Sequence, residues 1–328
     1  MRSITGPGAV VIGGYINGLG LVRSLAGRGV PAAVITTLPC DIAHYSRHIC
    51  GHEAVEDIDG HPERLIELLQ RKAKDWRGWT LFPASDEAVI ILAQHRDTLS
   101  ATYRVLAPPA EVTARIIDKR VGSEAARRAG VGVAHCYGYS DEGIESMNGL
   151  AYPVLVKPVV SHAFRPRFER KLFLARDRDD LARRIAEVRE AKLVCEILDV
   201  IPGPDSQVYE YSVYVDSKGE PGPGLTVHKL RQSPPLFGVA RVAEVVPEIP
   251  AMREAAVEIL RRLEYQGIAG VEFKVDPRDG SLRFLEVNGR AVIFNKLLQR
   301  AGLDLTAMAY FDTGNGSREQ PVPNGWPG

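Results

Sequence analysis

Residues 268–290 contain two apolar runs separated by turn-forming residues, and this pattern constrains the fold more than any other segment of the chain. The runs at 271–275 and 282–287 have the length and composition of β-strands, and the DPRDG sequence between them favours a tight turn. The segment therefore predicts a β-hairpin, which commits this part of the chain to an antiparallel sheet.

The arrangement of polar residues on this hairpin depends on the length of its loop. A three-residue loop, 278–280, whose last residue takes a positive φ, pairs Pro277 with Ser281. Because side chains alternate along each strand, the same register places Glu272 directly opposite Glu286 on one face.

Asn288 lies two residues beyond Glu286 and projects from the same face, and Arg290 follows two residues later. Two carboxylates and an amide oxygen would then converge. Like charges directly opposite each other destabilise a sheet, so a divalent cation is the natural compensation. Hard oxygen ligands of this kind suit Mg²⁺ or Mn²⁺. The alternative is a solvent-facing hairpin edge that carries ordinary surface charges.

The composition is that of a soluble globular enzyme with two or three domains, since the 328 residues are 45% hydrophobic and 25% charged. Its 41 basic and 41 acidic residues balance, so net charge gives no reason to expect binding to nucleic acid or to an anionic membrane. No apolar run approaches the roughly 18 residues of a membrane span, and no signal peptide is expected. The four cysteines show no CxxC spacing, which favours reduced thiols and a cytoplasmic protein.

The N-terminal segment has the pattern of a β–loop–α–β unit. The apolar run at 9–12 precedes the stretch GGYINGLG (13–20), a helical pattern follows, and residues 34–35 begin a second strand. This order predicts a doubly wound parallel sheet. A dinucleotide fingerprint needs GxGxxG and an acidic residue about 20 positions later, but Thr36 and Thr37 stand there. A nicotinamide-dependent oxidoreductase is thus a weak alternative, and tight packing explains the glycines equally well.

A strand predicted over 80–84 leads into Ser85, Asp86 and Glu87. Ser85 fits the N-cap of a helix over 87–99, and the helix dipole favours acidic residues in its first turn. Strand ends of doubly wound sheets also face ligands, so a substrate role is the alternative for these residues.

Several motifs then occur in a fixed order. They are Lys119 in a predicted helix over 111–129, YPVLVKP with Lys157, LVCEIL with Glu196, the strand LTVHKLRQ, VEFK with Glu272, and FLEVNGR. In that order and spacing the chain resembles the ATP-grasp superfamily over most of its length. It is most similar to carboxylate–amine ligases of the D-aspartate ligase-like group, and the run KLRQSPPLFG supports this placement.

The resemblance implies an α/β fold, with an N-terminal doubly wound parallel sheet followed by a two-lobed ATP-grasp fold with antiparallel sheets. It implies a pre-ATP-grasp domain over 1–110 and a small lid subdomain with a linker helix over 111–195. A large subdomain with the metal site would occupy 196–328.

The resemblance also implies roles for basic residues. Lys119 and Lys157 match the lysines that neutralise the phosphates of ATP, where lysine serves as a mobile point charge. Lys229 and Arg231 match the strand that reaches the triphosphate or the acyl phosphate. His228, beside them, is expected to pack.

Further roles concern the nucleoside. Glu196, Ile197 and Leu198 match the hinge whose backbone reads the adenine edge, although this stretch also fits a buried strand. Asp205 is the candidate for binding the ribose hydroxyls, with an ordinary loop aspartate as the alternative.

The hairpin residues match the metal ligands of the superfamily, namely Glu272, Glu286 and Asn288, and Arg290 matches the arginine that follows them. The chain departs from the family pattern at Gly289, where proline is more common. Glycine would loosen the backbone before Arg290.

A second departure is the stretch 161–171 (SHAFRPRFERK), which stands where many members carry a glycine-rich lid. Its basic residues would close over phosphates by charge. They are Arg165, Arg167, Arg170 and Lys171. Lys171 is the favoured one, and a solvated basic loop is the alternative.

The resemblance thus implies an ATP-dependent ligase that forms an acyl phosphate, releases ADP and phosphate, and makes an amide or peptide bond. Its partners would be a small-molecule carboxylate and an amine, amino acids among them, and a homodimer is compatible with it. The alternatives are a non-catalytic ATP-binding or regulatory protein, an enzyme that stops at the acyl phosphate, and the oxidoreductase.

Overall fold

The computed structural model describes residues 7–159, 164 and 167–314, and within these residues the strands form three sheets. The first sheet is parallel and has the order β3-β2-β1-β4-β5, so the predicted doubly wound sheet is confirmed. Its strands are β1 (Ala9–Ile12), β2 (Ala32–Thr36), β3 (Ile49–Ala54), β4 (Thr80–Pro83) and β5 (Arg104–Val105).

The strand order reverses between β1 and β4, so the loops that follow these two strands flank the crevice where such sheets bind ligands. Ser85 follows β4 and caps the next helix, because its Oγ accepts a hydrogen bond from the Ala88 N–H at 3.2 Å. The helix predicted over 87–99 is interrupted at His95. The helical segments here are Ile16–Gly27, Ala43–Tyr45, Pro62–Arg71, Asp86–Gln94 and Arg96–Ser100.

Close backbone packing accounts for the glycines after β1. A Cβ at Gly18 would lie 2.0 Å from the carbonyl oxygen of Gly13, so no side chain fits where the helix passes the strand end. Gly13 itself has a φ of 94°, in the region that favours glycine. The loop therefore needs these glycines for its own geometry.

The helix predicted over 111–129 is in fact two helices, Ala110–Ile117 and Lys119–Arg128. Asp118 separates them because its carboxylate accepts a backbone N–H two residues later, at 2.9 Å, as an N-cap. The break places Lys119 at the first position of the second helix.

The second sheet is antiparallel, with the order β7-β10-β8-β9 once its strands are numbered along the chain. The helix Arg178–Glu190 covers it, and its residues Leu181, Ile185 and Val188 are buried. The strands are β7 (Cys136–Tyr139), β8 (Val154–Pro158), β9 (Phe173–Ala175) and β10 (Cys195–Asp199), and β6 (Gly132–Val133) joins the third sheet instead.

The third sheet has the order β13-β12-β11-β14-β15-β6 and is antiparallel except for the parallel pair of β15 and β6. The helix Pro250–Arg262 packs on it. The strands after β10 are β11 (Val208–Val215), β12 (Pro221–Ser233), β13 (Val239–Val246), β14 (Gly267–Val275) and β15 (Leu282–Asn288).

The predicted hairpin is confirmed as β14 and β15, but its predicted three-residue loop is wrong. The Asp276 N–H donates to the Ser281 carbonyl at 2.9 Å, so the loop has four residues and Pro277 lies within it. The Asp276 carboxylate accepts the Arg278 N–H at 3.0 Å and closes the turn from inside. Gly280 has a positive φ of 70°, as predicted.

Even so, Glu272 pairs with Glu286, as the sequence predicts. The register shifts next to Glu272, where Phe273 pairs with Phe284 and Leu285 forms a bulge. The longer loop alone would move Glu286 to the face opposite Glu272. The bulge adds one residue to β15 and returns Glu286 to the same face as Glu272.

The segment after the hairpin packs against the N-terminal sheet. Ala291, Val292 and Phe294 share one hydrophobic cluster with Val11 and Phe82. The helices Asn295–Arg300 and Leu305–Asp312 continue this contact. Among the described residues, no helix is both long and apolar enough to cross a membrane.

Candidate active site

Three acceptor side chains, Glu272, Glu286 and Asn288, lie on one face of the hairpin, and we call them the acceptor face. The Asn288 Nδ2 donates to the Glu272 Oε1 at 3.0 Å, which leaves the Asn288 Oδ1 available as an oxygen ligand. Glu286 lies opposite Glu272 across the strand pair. The structure thus brings the three predicted ligands together.

Three lysines from separate elements surround the acceptor face. The Lys229 Nζ, from β12, lies 2.5 Å from the Glu272 Oε1. The Lys119 Nζ, from the helix start, lies 3.4 Å from the Glu286 Oε2. The Lys157 Nζ, from β8, donates to the Leu285 carbonyl at 3.0 Å, on the bulge of β15. The like charges of the hairpin are therefore offset by lysines.

Sequence reasoning missed Glu210 on β11. It is 2% exposed, pairs with Glu272 in the sheet register, and its Oε2 lies 3.4 Å from the Lys229 Nζ. The Ser212 Oγ donates to its other oxygen at 2.9 Å. Lys229 thus lies between two carboxylates. The available signal was the YEYSVYV alternation, which puts Glu210 and Ser212 together on one face of a strand that is buried on both faces.

Burial and the neighbouring charges both shift the pKa values of these side chains. Burial, helped by the charge of Lys119, lowers the pKa of Lys157 to about 8. Burial pushes the pKa of Glu286 upward, but the lysines, led by Lys119, outweigh it and hold that pKa well below its usual range. Burial pushes the pKa of Lys229 downward, but Glu272 and Glu210 outweigh it and raise the pKa. Burial raises the pKa of Glu210.

The acceptor face fits a magnesium ion that also binds phosphates. Such an ion keeps several waters or phosphate oxygens and needs only one or two protein carboxylates. The Glu286 side chain is 28% exposed and can offer an oxygen. The described part of the chain has no group of three or more His, Cys, Asp or Glu side chains able to hold a metal unaided.

Arg290 contacts a residue that follows β4 of the N-terminal sheet. Its Nε donates to the Asp86 Oδ1 at 2.6 Å. Burial pushes the pKa of Arg290 downward, and Asp86 outweighs it and raises that pKa. Arg290 is thus held by Asp86, a residue of the crevice between β1 and β4.

The other predicted cations lie farther out. The Lys171 Nζ donates to the Gly238 carbonyl at 3.5 Å, and its charge contributes to the low pKa of Glu286. Arg231 is exposed on β12, and within the described residues its guanidinium has no hydrogen-bond partner. The predicted lid residue Arg165 lies outside the described residues, and Arg170 is exposed.

The structure disagrees with the predicted hinge. Glu196, Ile197 and Leu198 pair with strands on both sides, β7 and β8, so their backbone groups are used inside the sheet. The Glu196 side chain lies opposite Lys157 and is almost fully buried. A backbone contact with adenine would have to come from residues beyond Asp199, where β10 ends.

Asp205 has a different role from the predicted ribose contact. Its Oδ2 accepts the Gln232 N–H at 2.9 Å, and its Oδ1 accepts the Leu236 N–H at 2.7 Å. The carboxylate therefore anchors the turn after β12, in line with the simpler alternative of a loop aspartate.

Gly289 serves close packing rather than looseness. A Cβ there would lie 2.9 Å from the Ile116 Cγ2 and 3.2 Å from the Tyr265 Cε2. The glycine lets the backbone before Arg290 fit between these two side chains.

The chain is similar in sequence and fold to known ATP-binding domains and ligases. Residues 246–311, which include the acceptor face and Arg290, match the family model described as the carbamoyl-phosphate synthase L chain, ATP binding domain. The D-aspartate ligase of Enterococcus faecium is 24% identical over 268 residues, which cover 76% of this chain and 63% of that protein. The chain thus spans less than two thirds of this curated relative.

Two solved structures are similar over most of the chain. The L-amino acid ligase from Bacillus licheniformis has a TM-score of 0.70 and 14% identity, covering 93% of this chain and 73% of that one. The biotin carboxylase domain dimer of Hydrogenobacter thermophilus 2-oxoglutarate carboxylase, in complex with MgADP, has a TM-score of 0.73 and 16% identity, covering 96% and 71%. The resemblance to the ATP-grasp superfamily is therefore confirmed, and the chain has the ATP-grasp fold.

Proposed function

We propose that this protein is an ATP-dependent carboxylate–amine ligase that forms an amide or peptide bond through an acyl phosphate, releasing ADP and phosphate. One observation carries the proposal, namely an acceptor face surrounded by three lysines with an arginine immediately after it. The D-aspartate ligase and the L-amino acid ligase similar to this chain are named for reactions of this type.

In this proposal the lysines bind the phosphates of ATP. Lys119 and Lys157 approach the acceptor face from different elements and carry the charge that a triphosphate needs. Lys229 stays protonated because Glu272 and Glu210 raise its pKa. Lys171 and Arg231 lie at the exposed side and are proposed to meet the outer phosphates.

Glu272, Glu286 and Asn288 would hold Mg²⁺, or Mn²⁺ in its place. When bound, the ion neutralises charge that develops on the transferred phosphoryl group. We place the adenine contact at Val200 and Ile201, which follow the last paired residue of β10.

The chemistry has two steps. The substrate carboxylate attacks the γ-phosphorus and ADP leaves, which gives the acyl phosphate. The amine then attacks the acyl carbon, and Arg290 stabilises the oxyanion of the tetrahedral intermediate before phosphate leaves. We keep the substrates at the level of a small carboxylate and an amine, with amino acids as the first candidates.

The predicted division at 1–110, 111–195 and 196–328 remains a proposal. The sheets support part of it, because β1–β5 fall within 1–110 and β11–β15 within 196–328, whereas β10 (Cys195–Asp199) crosses the boundary after residue 195. A cytoplasmic location and a homodimer are proposed alongside it.

The test is an ADP-release screen with Mg·ATP, in which amino acids and small carboxylates are offered in pairs with amines. We expect at least one pair to give ADP and a new amide in equal amounts. Arg290→Ala should lower the rate of amide formation by about 10²–10³-fold with little change in ATP affinity. Arg300→Ala, an exposed change in the last turn of Asn295–Arg300, is the control. Binding of ATP without ADP release from any pair would favour the non-catalytic alternative.

A further inference from the structure

One ion pair joins the two parts of the molecule at the candidate active site. Arg290 and Asp86 are 204 residues apart in sequence, and the Nε–Oδ1 distance is 2.6 Å. The Arg290 side chain is 21% exposed and the Asp86 side chain 46%. A charge-assisted hydrogen bond at this distance, with the arginine mostly buried, has a defined geometry.

A second contact fixes the backbone on both sides of this pair. The Asn17 Nδ2 donates to the Ala84 carbonyl at 3.3 Å and to the Ala291 carbonyl at 3.1 Å. Ala84 lies two residues before Asp86, and Ala291 directly follows Arg290. One amide group therefore ties together the two backbone segments that carry the ion pair.

Local contacts hold both of these backbone segments. Ser85 caps the helix that begins at Asp86, so the carboxylate of Asp86 lies on the capped first turn of that helix. Ala84 and Ala291 are buried in the same hydrophobic cluster. On the other side of Arg290, the Gly289 backbone packs closely against Ile116 and Tyr265.

We propose that Asp86 is a positioning residue for Arg290, and that Asn17 fixes the backbone on both sides of the pair. The N-terminal sheet then determines the direction in which the guanidinium of Arg290 points. This inference rests on the proposed ligase function. Asp86 uses the Nε–H of the guanidinium, which leaves Nη2 to donate to the oxyanion. An oxyanion donor must lie about 2.7–3.1 Å from its target. An error of about 1 Å in its position can cost roughly 100-fold in rate.

The step most sensitive to the position of the Arg290 guanidinium is the attack of the amine, because Arg290 acts on the acyl group after ADP has formed. If the guanidinium of Arg290 is misplaced, water should hydrolyse the acyl phosphate before the amine attacks it. The measured quantity is therefore the amount of amide formed per ADP released, together with KM for ATP.

The experiment uses Asp86→Asn, Asp86→Ala and Asn17→Ala in the full chain, with the acid and amine found in the ADP-release screen. We expect amide per ADP to fall by about 10-fold or more, with KM for ATP within about 2-fold. The loss should be smaller for Asp86→Asn than for Asp86→Ala, since asparagine keeps an acceptor oxygen. Asp179→Asn, an exposed acid in the first turn of Arg178–Glu190, is the matched control. An unchanged ratio in Asp86→Ala would overturn the positioning role.

A second arm needs no turnover. Thermal unfolding of Asp86→Asn, Arg290→Gln and the double variant tests whether the two residues act as a pair. We expect the double variant to melt no lower than the less stable single variant, because both remove the same contact. Additive decreases in Tm would overturn the proposal. If the wild-type protein releases no ADP with any pair, the ligase function fails instead, and the melting data alone decide whether the pair forms.

Discussion

The two ends of the β14–β15 hairpin both carry dense charge, yet they neutralise it in opposite ways. At the turn, the buried Asp276 is bound by Arg278 and Arg283, only two and seven residues away. At the other end, Glu272 and Glu286 are paired with Lys229 and Lys119, which belong to other elements. The turn neutralises its own charge, whereas the acceptor face depends on the rest of the fold.

This difference distinguishes the turn, where the charges have a structural role, from the acceptor face, which is a candidate binding site. Charges that are paired within one turn stabilise that turn and stay paired with each other. Lysines brought from three elements can transfer their contacts to phosphates, and the carboxylates can then bind a cation. The same hairpin therefore combines a locally stabilised end with an end available for ligands.

The largest expected effect is at the acceptor face. Glu286→Gln should lower Mg²⁺-dependent ADP release by at least about 100-fold, because an amide offers one weaker oxygen ligand in place of a carboxylate. The measurement is ADP release during a Mg²⁺ titration. Asp279→Asn, at the turn end, is the control and should titrate as wild type. A normal Mg²⁺ titration in Glu286→Gln would remove this residue from the metal ligands.

Lys229→Met should destabilise the fold by about 3–5 kcal/mol, because it leaves Glu210 and Glu272 buried without a shared cation. The measurement is denaturant unfolding at pH 7. Adding Glu210→Gln should recover part of the loss, since one buried charge is removed. Arg278→Met at the turn should cost far less, because Asp276 keeps Arg283. Equal losses in both lysine and arginine variants would contradict the contrast between the two ends.

Lys157 should make nucleotide binding depend on pH near its pKa of about 8. Phosphate binding favours the protonated lysine, so metal-free ADP affinity should fall by about 10-fold between pH 7 and 9. The folded state binds this proton more weakly than the unfolded state, so stability should rise over the interval from about 8 to the unfolded value of about 10.4. Calorimetric titration of ADP checks the first effect. Lys157→Arg, which stays protonated, should bind ADP without this pH dependence.

The smallest effect is expected at the turn. Arg278 outweighs burial and holds the pKa of Asp276 well below its usual range. A lowered pKa contributes stability above the unfolded value of about 3.9 and loses it as pH falls further. The Tm difference between wild type and Asp276→Asn should therefore be largest at pH 7 and shrink by pH 3. A difference that stays constant over this range would show that the charge of Asp276 does not matter.

The features that were predictable from sequence are those set by neighbours in the chain. The side of Glu286 and Asn288 follows from the strand period of two, and the Ser85 cap follows from its place before a helix. The loop of the hairpin was predicted one residue too short, and the bulge at Leu285 was not predicted. Each of these differences shifts the strand register by one residue. The two shifts cancel, so Glu272 still pairs with Glu286.

Features set by distant neighbours were predicted poorly. Glu210 reads as one acid among tyrosines until Lys229 is placed beside it. Asp205 could be assigned to ribose only because its two backbone partners on the next strand pair were unknown. The backbone of Glu196–Leu198 likewise could not be excluded from adenine contact before β7 was found beside β10.

By itself, the sequence determined the kind of fold and the chemical identity of the acceptor face, because strand alternation, turn chemistry and ordered motifs are local properties of the chain. Only the tertiary structure decided which cations neutralise that face and which residue directs Arg290. The physical reason is that an ion pair depends on distance in space, and Asp86 reaches Arg290 only when the N-terminal sheet packs against the end of the hairpin.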